Sequence, residues 1–212
     1  MNIISNFLNI RSRVSALNNK SKIIVVSKNQ TVDKIMQIIN KGHYDFAENK
    51  VQEALNKWPQ ILIDNQQINL HLIGKLQSNK VNEAYKIFNY IHSLDNEKIA
   101  KKFSQLHIIS PKNIKYFIQV NIGNEIQKNG IEPSQLQNFV RYCSDDLMLN
   151  IVGLMCIPPI EGDPNQYFNN LAQLAKLSNL NELSMGMSND YESAIRNGAT
   201  FVRIGSKIFS EH

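Results

Sequence analysis

The sequence is poor in the residues that staple, break or anchor a chain. Among 212 residues there are two cysteines, Cys143 and Cys156, too few for a disulfide framework and suited to a reducing compartment. Six prolines and nine glycines exclude collagen-like or low-complexity character. No apolar run approaches the ~18 residues a membrane helix requires, and the longest are short, like Ile23-Ile24-Val25-Val26. The opening MNIISNFLNIRSRV lacks a basic segment followed by an apolar one, so no signal peptide is expected. No CxxC, HExxH or paired-histidine spacing is present, so no metal site is expected. Nor is there a GxGxxG fingerprint: the first strand is followed by Ser27-Lys28-Asn29-Gln30.

The chain has ample apolar content, 42%, to form a core of its own, and its length suits one domain over residues 1–212. The formal charge is +5, but its lysines are scattered, as at Lys20, Lys34, Lys41 and Lys57. That pattern describes solvated helix faces, not a nucleic-acid stripe. The expectation is a cytoplasmic monomer with neither nucleic acid nor membrane as partner.

Eight short apolar or β-branched runs read as strands: 22–28, 43–49, 70–74, 88–94, 114–122, 149–155, 182–186 and 200–205. Apolar residues at helical spacing fill the gaps, as at Val32, Ile35, Met36 and Ile39, and a further helix over 2–19 precedes them. The gap at 75–87 carries the faintest helical pattern. Eight β/α alternations without a linker argue for a closed (β/α)8 barrel with an extra N-terminal helix. An open doubly wound sheet is the competing arrangement.

In such a barrel, chemistry gathers at the C-terminal ends of the strands. That rule selects Lys28, Glu48-Asn49, Asp95, Asn121, and two small-residue loops, Ser184-Met185-Gly186-Met187-Ser188 and Gly205-Ser206. The loops after strands seven and eight are a frequent phosphate cradle in barrels, although these glycines and serines also suit plain turns. Lys28 ends an apolar run. It either snorkels to solvent or, desolvated at the mouth, attacks a carbonyl as a Schiff-base lysine. A lysine with a phosphate cradle suits pyridoxal phosphate chemistry or a cofactor-free Schiff-base aldolase. Arg203 either points into the mouth or pairs, buried, with a carboxylate such as Glu48. His71 reads as a hydrogen-bonded core residue, His92 and Asp95 as ordering the loop after strand four, and Cys156 as packing.

The stretches VVSK (25–28), FAENKVQEAL (46–55), HLIGKLQSNK (71–80), IHSLD (91–95), VNIGNEIQKNG (120–130), GLMCIPP (153–159) and LSMGMSNDYESAIRNGATFVRIGSKIF (183–209) resemble the pyridoxal phosphate homeostasis protein family. These proteins are single-domain relatives of the alanine racemase N-terminal barrel. The resemblance implies that barrel type, with pyridoxal 5'-phosphate held as a Schiff base on Lys28. It further implies Ser184, Met185, Gly205 and Ser206 at the phosphate, Arg203 near the pyridine nitrogen and Asn49 close to the ring. The implied role is storage or transfer of the cofactor to apo-enzymes, with no catalytic residue and no turnover. Amino-acid racemisation is the enzymatic alternative. The racemases carry a second, all-β domain, and this sequence stops at His212, shortly after strand eight, so none is expected. Lys128 is a candidate secondary attachment point. Two positions depart from the family pattern: Ala47 replaces the glycine of FGEN, and Leu70 replaces a tryptophan before His71.

Overall fold

The computed structural model describes residues 2–125 and 129–210. Eight parallel strands close into a barrel in sequence order, with β8 pairing β1. They are β1 (Lys22–Val26), β2 (Asp45–Glu48), β3 (Asn69–Leu72), β4 (Tyr90–Leu94), β5 (Lys115–Gln119), β6 (Ile151–Met155), β7 (Glu182–Ser184) and β8 (Phe201–Ile204). Most of their residues are buried on both faces, which is why they read as continuous apolar runs and not as alternations.

The strand period of two sorts these residues into two cores. Ile24, Val26, Ala47, Tyr90, Phe117, Met155 and Phe201 fill the barrel interior. Their neighbours, such as Ile23, Val25, Phe46, Leu70, Leu72, Ile118, Leu154 and Val202, face the surrounding helices in a larger cluster. Ala47 belongs to the interior, so replacing glycine there adds one methyl to the barrel core and leaves the rim unchanged.

The helices are α1 (Ile3–Leu17), α2 (Val32–Ile39), α3 (Val51–Lys57), α4 (Pro59–Asp64), α5 (Val81–Ile87), α6 (Glu97–Ile109), α7 (Leu136–Arg141), α8 (Pro164–Leu177), α9 (Tyr191–Arg196) and α10 (Ser206–Phe209). The extra helix α1 buries Ile3, Phe7, Ile10 and Val14, one face of a helical period. It lies against α2, α9 and α10, across the seam where β1 meets β8. Asn6 Nδ2 donates to Ile208 O at 3.2 Å, which ties α1 to α10.

The gap at 75–87 forms a 3₁₀ turn at Ser78–Lys80 and then α5. Two details go beyond the apolar pattern of the sequence. Pro59 ends α3 but also opens α4, because proline is favoured at a first helical position. After α7 the chain widens into a π turn, with Leu147 N donating to Tyr142 O at 3.0 Å.

Candidate functional site

Strand parity decides which residues reach the mouth. Beyond Val26 the next inward position is Lys28, beyond Ala47 it is Asn49, and beyond Phe201 come Arg203 and Gly205. These four residues line one cleft of about 650 Å³, together with Ile73, Ile157, Pro159, Met187, Ser188 and Ser206.

Lys28 is exposed at the rim. Of the two alternatives open in the sequence, the chain alone shows the solvent-facing one, and desolvation is not supplied by it. Its neighbours are held firmly. The Ser27 hydroxyl donates to Glu48 Oε1 at 2.8 Å, and Asn29 N donates to Glu53 Oε1 at 2.6 Å. Lys57 Nζ ties both ends together, donating to Ser27 O (2.9 Å), Glu48 Oε1 (3.0 Å) and Glu53 Oε1 (2.8 Å). Trp58 Nε1 adds a bond to Glu48 Oε1 at 2.9 Å. Partial burial pushes the Glu53 carboxyl up, but the bonds from Lys57 and Asn29 outweigh it, so it sits below its ordinary value. Asn29 has φ +59°, a left-handed conformation that asparagine tolerates. The backbone on either side of Lys28 is therefore pinned while its side chain projects into the cleft.

This cluster also corrects the pairing considered for Arg203. Glu48 lies one residue off the inward register, so it faces α3, whereas Arg203 faces the barrel interior. Arg203 Nη1 donates to Ser184 O (2.6 Å) and Ser184 Oγ (2.8 Å), and Nη2 donates to Cys156 O (2.8 Å). Burial pulls the Arg203 guanidinium below its ordinary value, with Cys156 and Asp190 nearby opposing that. Cys156 itself is packed, and burial pushes its thiol up to about 12.

Around the two loops, Ser206 Oγ donates to Ser188 Oγ at 2.9 Å. Gly186 has φ +88°, and a Cβ there would sit 2.5 Å from Ala194 Cβ. Only glycine both turns the chain at this point and lets α9 pack beneath it. At Gly205 a Cβ would meet Val26 O at 3.0 Å, so a bare backbone is favoured at the floor of the cleft.

Two residues assigned to the phosphate from the resemblance are not among the cleft's lining. Ser184 is fully buried inside the barrel, bonded to Arg203 and to His92. Met185 is fully buried in the outer core, and its amide is spent on Phe201 O at 3.1 Å. The segment Ser184-Met185-Gly186-Met187-Ser188 is mirrored about its glycine, and it is the half after the turn at Gly186, Met187-Ser188, that lines the cleft. His92, expected to order a loop, lies inside the barrel. Lys128 falls outside the described residues.

The site has the inventory of a small organic phosphate with a reactive carbonyl and a basic ring. It offers an amine, serine hydroxyls beside a glycine backbone, and a guanidinium that can only donate. Asn49 Oδ1 is buried without a hydrogen-bond partner, an acceptor left over for a ligand.

Comparison with known proteins gives the same reading. Residues 2–212 match the family model "Alanine racemase, N-terminal domain". A pyridoxal phosphate homeostasis protein of Vibrio cholerae is 38% identical over 200 residues, covering 90% of this chain and 85% of that protein. One from Aquifex aeolicus is 35% identical over 202 residues, covering 91% and 88%. The structure of PipY from Synechococcus elongatus with pyridoxal phosphate bound superposes with a TM-score of 0.86 at 31% identity, covering 98% of this chain and all of that one. Alanine racemase of Acinetobacter baumannii shares the fold, with a TM-score of 0.75 at 15% identity over 61% of its chain. With this barrel, this mouth and these relatives, the chain belongs to the pyridoxal phosphate homeostasis protein family, within the alanine racemase N-terminal domain family.

Proposed function

We propose that the mouth cleft binds pyridoxal 5'-phosphate and that the chain holds and hands on this cofactor to apo-enzymes. It does so in the cytoplasm, as a monomer with no nucleic-acid or membrane partner. The observation that carries the reading is the convergence of Lys28, Asn49, Arg203, Ser188 and Ser206 on one cleft of about 650 Å³. The relatives' names and the pyridoxal-phosphate-bound PipY structure support it.

The cofactor supplies an aldehyde, and Lys28 supplies the amine that condenses with it, releasing water. Ser188, Ser206 and the Gly205 backbone hold the phosphate. Arg203, being a donor only, meets the ring nitrogen in its unprotonated form, since its fixed charge disfavours a pyridinium. Asn49 Oδ1 offers an acceptor to the ring's hydroxyl. Holding the ring nitrogen unprotonated makes it a poor electron sink, which suits retention over amino-acid turnover.

Borohydride reduction of the protein incubated with pyridoxal 5'-phosphate, followed by peptide mapping, should place the label on Lys28, and Lys28→Ala should lose it. Label found only on other lysines would overturn the assignment. Incubation with L-alanine in deuterated water tests turnover. Protein-dependent α-proton exchange near ~1 s⁻¹, an ordinary enzymatic rate, would make this chain an enzyme.

A further inference from the structure

Behind Arg203 a chain of buried polar groups crosses the barrel interior from β8 to β2. His92 Nδ1 lies 2.8 Å from Ser184 Oγ, His71 Nδ1 lies 2.9 Å from His92 Nε2, and His71 Nε2 lies 3.3 Å from Asp45 Oδ1. Nothing in the proposed binding of the cofactor uses these residues. Both imidazoles are fully buried, where a polar group without purpose is costly.

The direction of every proton in this chain follows from its ends. A guanidinium can only donate, so Ser184 Oγ accepts from Arg203 and must give its single proton to His92 Nδ1. Burial pushes His92 well below its ordinary value, so it is neutral and carries its one proton on Nε2. That proton points at His71 Nδ1. Burial also pulls His71 down, and the positive charges of Lys22 and Lys115 add to this against the bond to Asp45. Neutral His71 then carries its proton on Nε2 and donates to Asp45. Burial pushes Asp45 up, but bonds from His71 and Asn69 outweigh it and keep the carboxyl below its ordinary value. A donor-only group at one end and an acceptor at the other impose the same polarity throughout.

Stacking holds both rings in this orientation. His71 stacks on Tyr90 at 4.2 Å between centroids, and His92 stacks on Phe117 at 4.3 Å. Among the described residues no carboxylate forms an ion pair with Arg203, and Asp190 acts on it only as a longer-range charge.

We propose that Ser184, His92, His71 and Asp45 form a one-way hydrogen-bond relay that positions Arg203 as a donor toward the cleft and brings it the counter-charge of Asp45. These are positioning residues acting through Arg203. Their effect on the cofactor ring rests on the binding reading above, while the relay itself does not.

The test has two arms. In the protein without added cofactor, ¹⁵N spectra should show His71 and His92 each neutral with the proton on Nε2, and Asp45→Asn should shift the Arg203 Nη signals. A proton on Nδ1 of either ring, or Arg203 signals indifferent to Asp45→Asn, would overturn the relay. The second arm compares binding of pyridoxal 5'-phosphate with its 1-deaza analogue, which carries CH in place of the ring nitrogen. The intact protein should prefer the natural ring by roughly tenfold or more, the worth of one charge-assisted bond. Asp45→Asn should reduce that preference about threefold or more, whereas Asp33→Asn, on the exposed face of α2, should leave it unchanged. Equal weakening of both ligands by Asp45→Asn would mean a merely structural role and sink the proposal. If the intact protein bound neither ligand, the binding reading would fall, and the first arm would still decide the relay.

Discussion

A single serine hydroxyl separates a cradle from a turn at Ser206. Its side chain is exposed, it bonds Ser188, and both face the cleft. Ser206→Asp should leave the fold intact but place a carboxylate against the phosphate. Loss of one or two charge-assisted bonds, each worth roughly 1.5–3 kcal/mol, should weaken pyridoxal 5'-phosphate binding by about tenfold or more, measured by titration of its absorbance. Met185→Leu, in the outer core, should leave that affinity unchanged, and an equal loss in both variants would return the phosphate to the first Ser-Met pair. On the far side of Lys28, Trp58→Phe keeps the packing but removes the N–H that Glu48 receives. Because Glu48 is fully buried, urea unfolding should show a loss of about 1–3 kcal/mol. Lys28, Asn49, Gly205 and Ser206 were legible as lining residues because each follows a strand at the barrel's mouth, and Arg203, inside β8, was legible from its place just before the last loop. Ser188 in place of Ser184 was not, because strand parity and the reversal at Gly186 are set by three-dimensional register.

At the scale of elements, the eight strands were legible as apolar runs bounded by turn residues; the structure shortens seven of them within their expected bounds and shifts β3 to begin one residue earlier, at Asn69. The division of α3 from α4 was not legible, since Pro59 reads equally as an end and as a beginning. The loop between β6 and α8 brings Ile157, Pro159, Ile160 and Gly162 over the cleft, and its far end is fixed by the cap of α8. There Asp163 accepts from Asn165 N at 2.9 Å and Pro164 occupies the first helical position. Asn96 caps α6 in the same way, accepting from Ile99 N at 3.0 Å, and is not among the residues lining the cleft. Both Asp163→Ala and Asn96→Ala should cost about 1 kcal/mol of stability. Only Asp163→Ala should also speed cofactor dissociation, followed as the decay of the bound cofactor's absorbance after dilution. Equal dissociation rates in the two variants would separate this loop from retention.

For the whole molecule, buried neutral histidines set the response to acid. His43, His71 and His92 are all pulled below 6.5, each chiefly by burial. Below about pH 6.5 the unfolded chain takes up protons that the native state refuses, so stability is fully present above that pH and falls as pH drops. Each histidine contributes a slope of up to about 1.4 kcal/mol per pH unit. Urea midpoints should therefore fall between pH 7.5 and 5.5, and His92→Gln should flatten the decline. A midpoint independent of pH over this range would mean that the native rings accept protons. Among the described residues no helix is long and apolar enough to cross a membrane.

The exposure of Lys28 gives the proposed carrier a particular temperament. A lysine sealed under a lid would keep its cargo until a partner pried it open. Here the proposed attachment point stands in contact with solvent in the chain alone, so on that reading water and small free amines would reach the carbon that Lys28 holds. Residence time then becomes a property of the surrounding solution as much as of the protein. On the proposed reading the load would drain where amines are plentiful and persist where they are scarce, without any receiving enzyme having to dock.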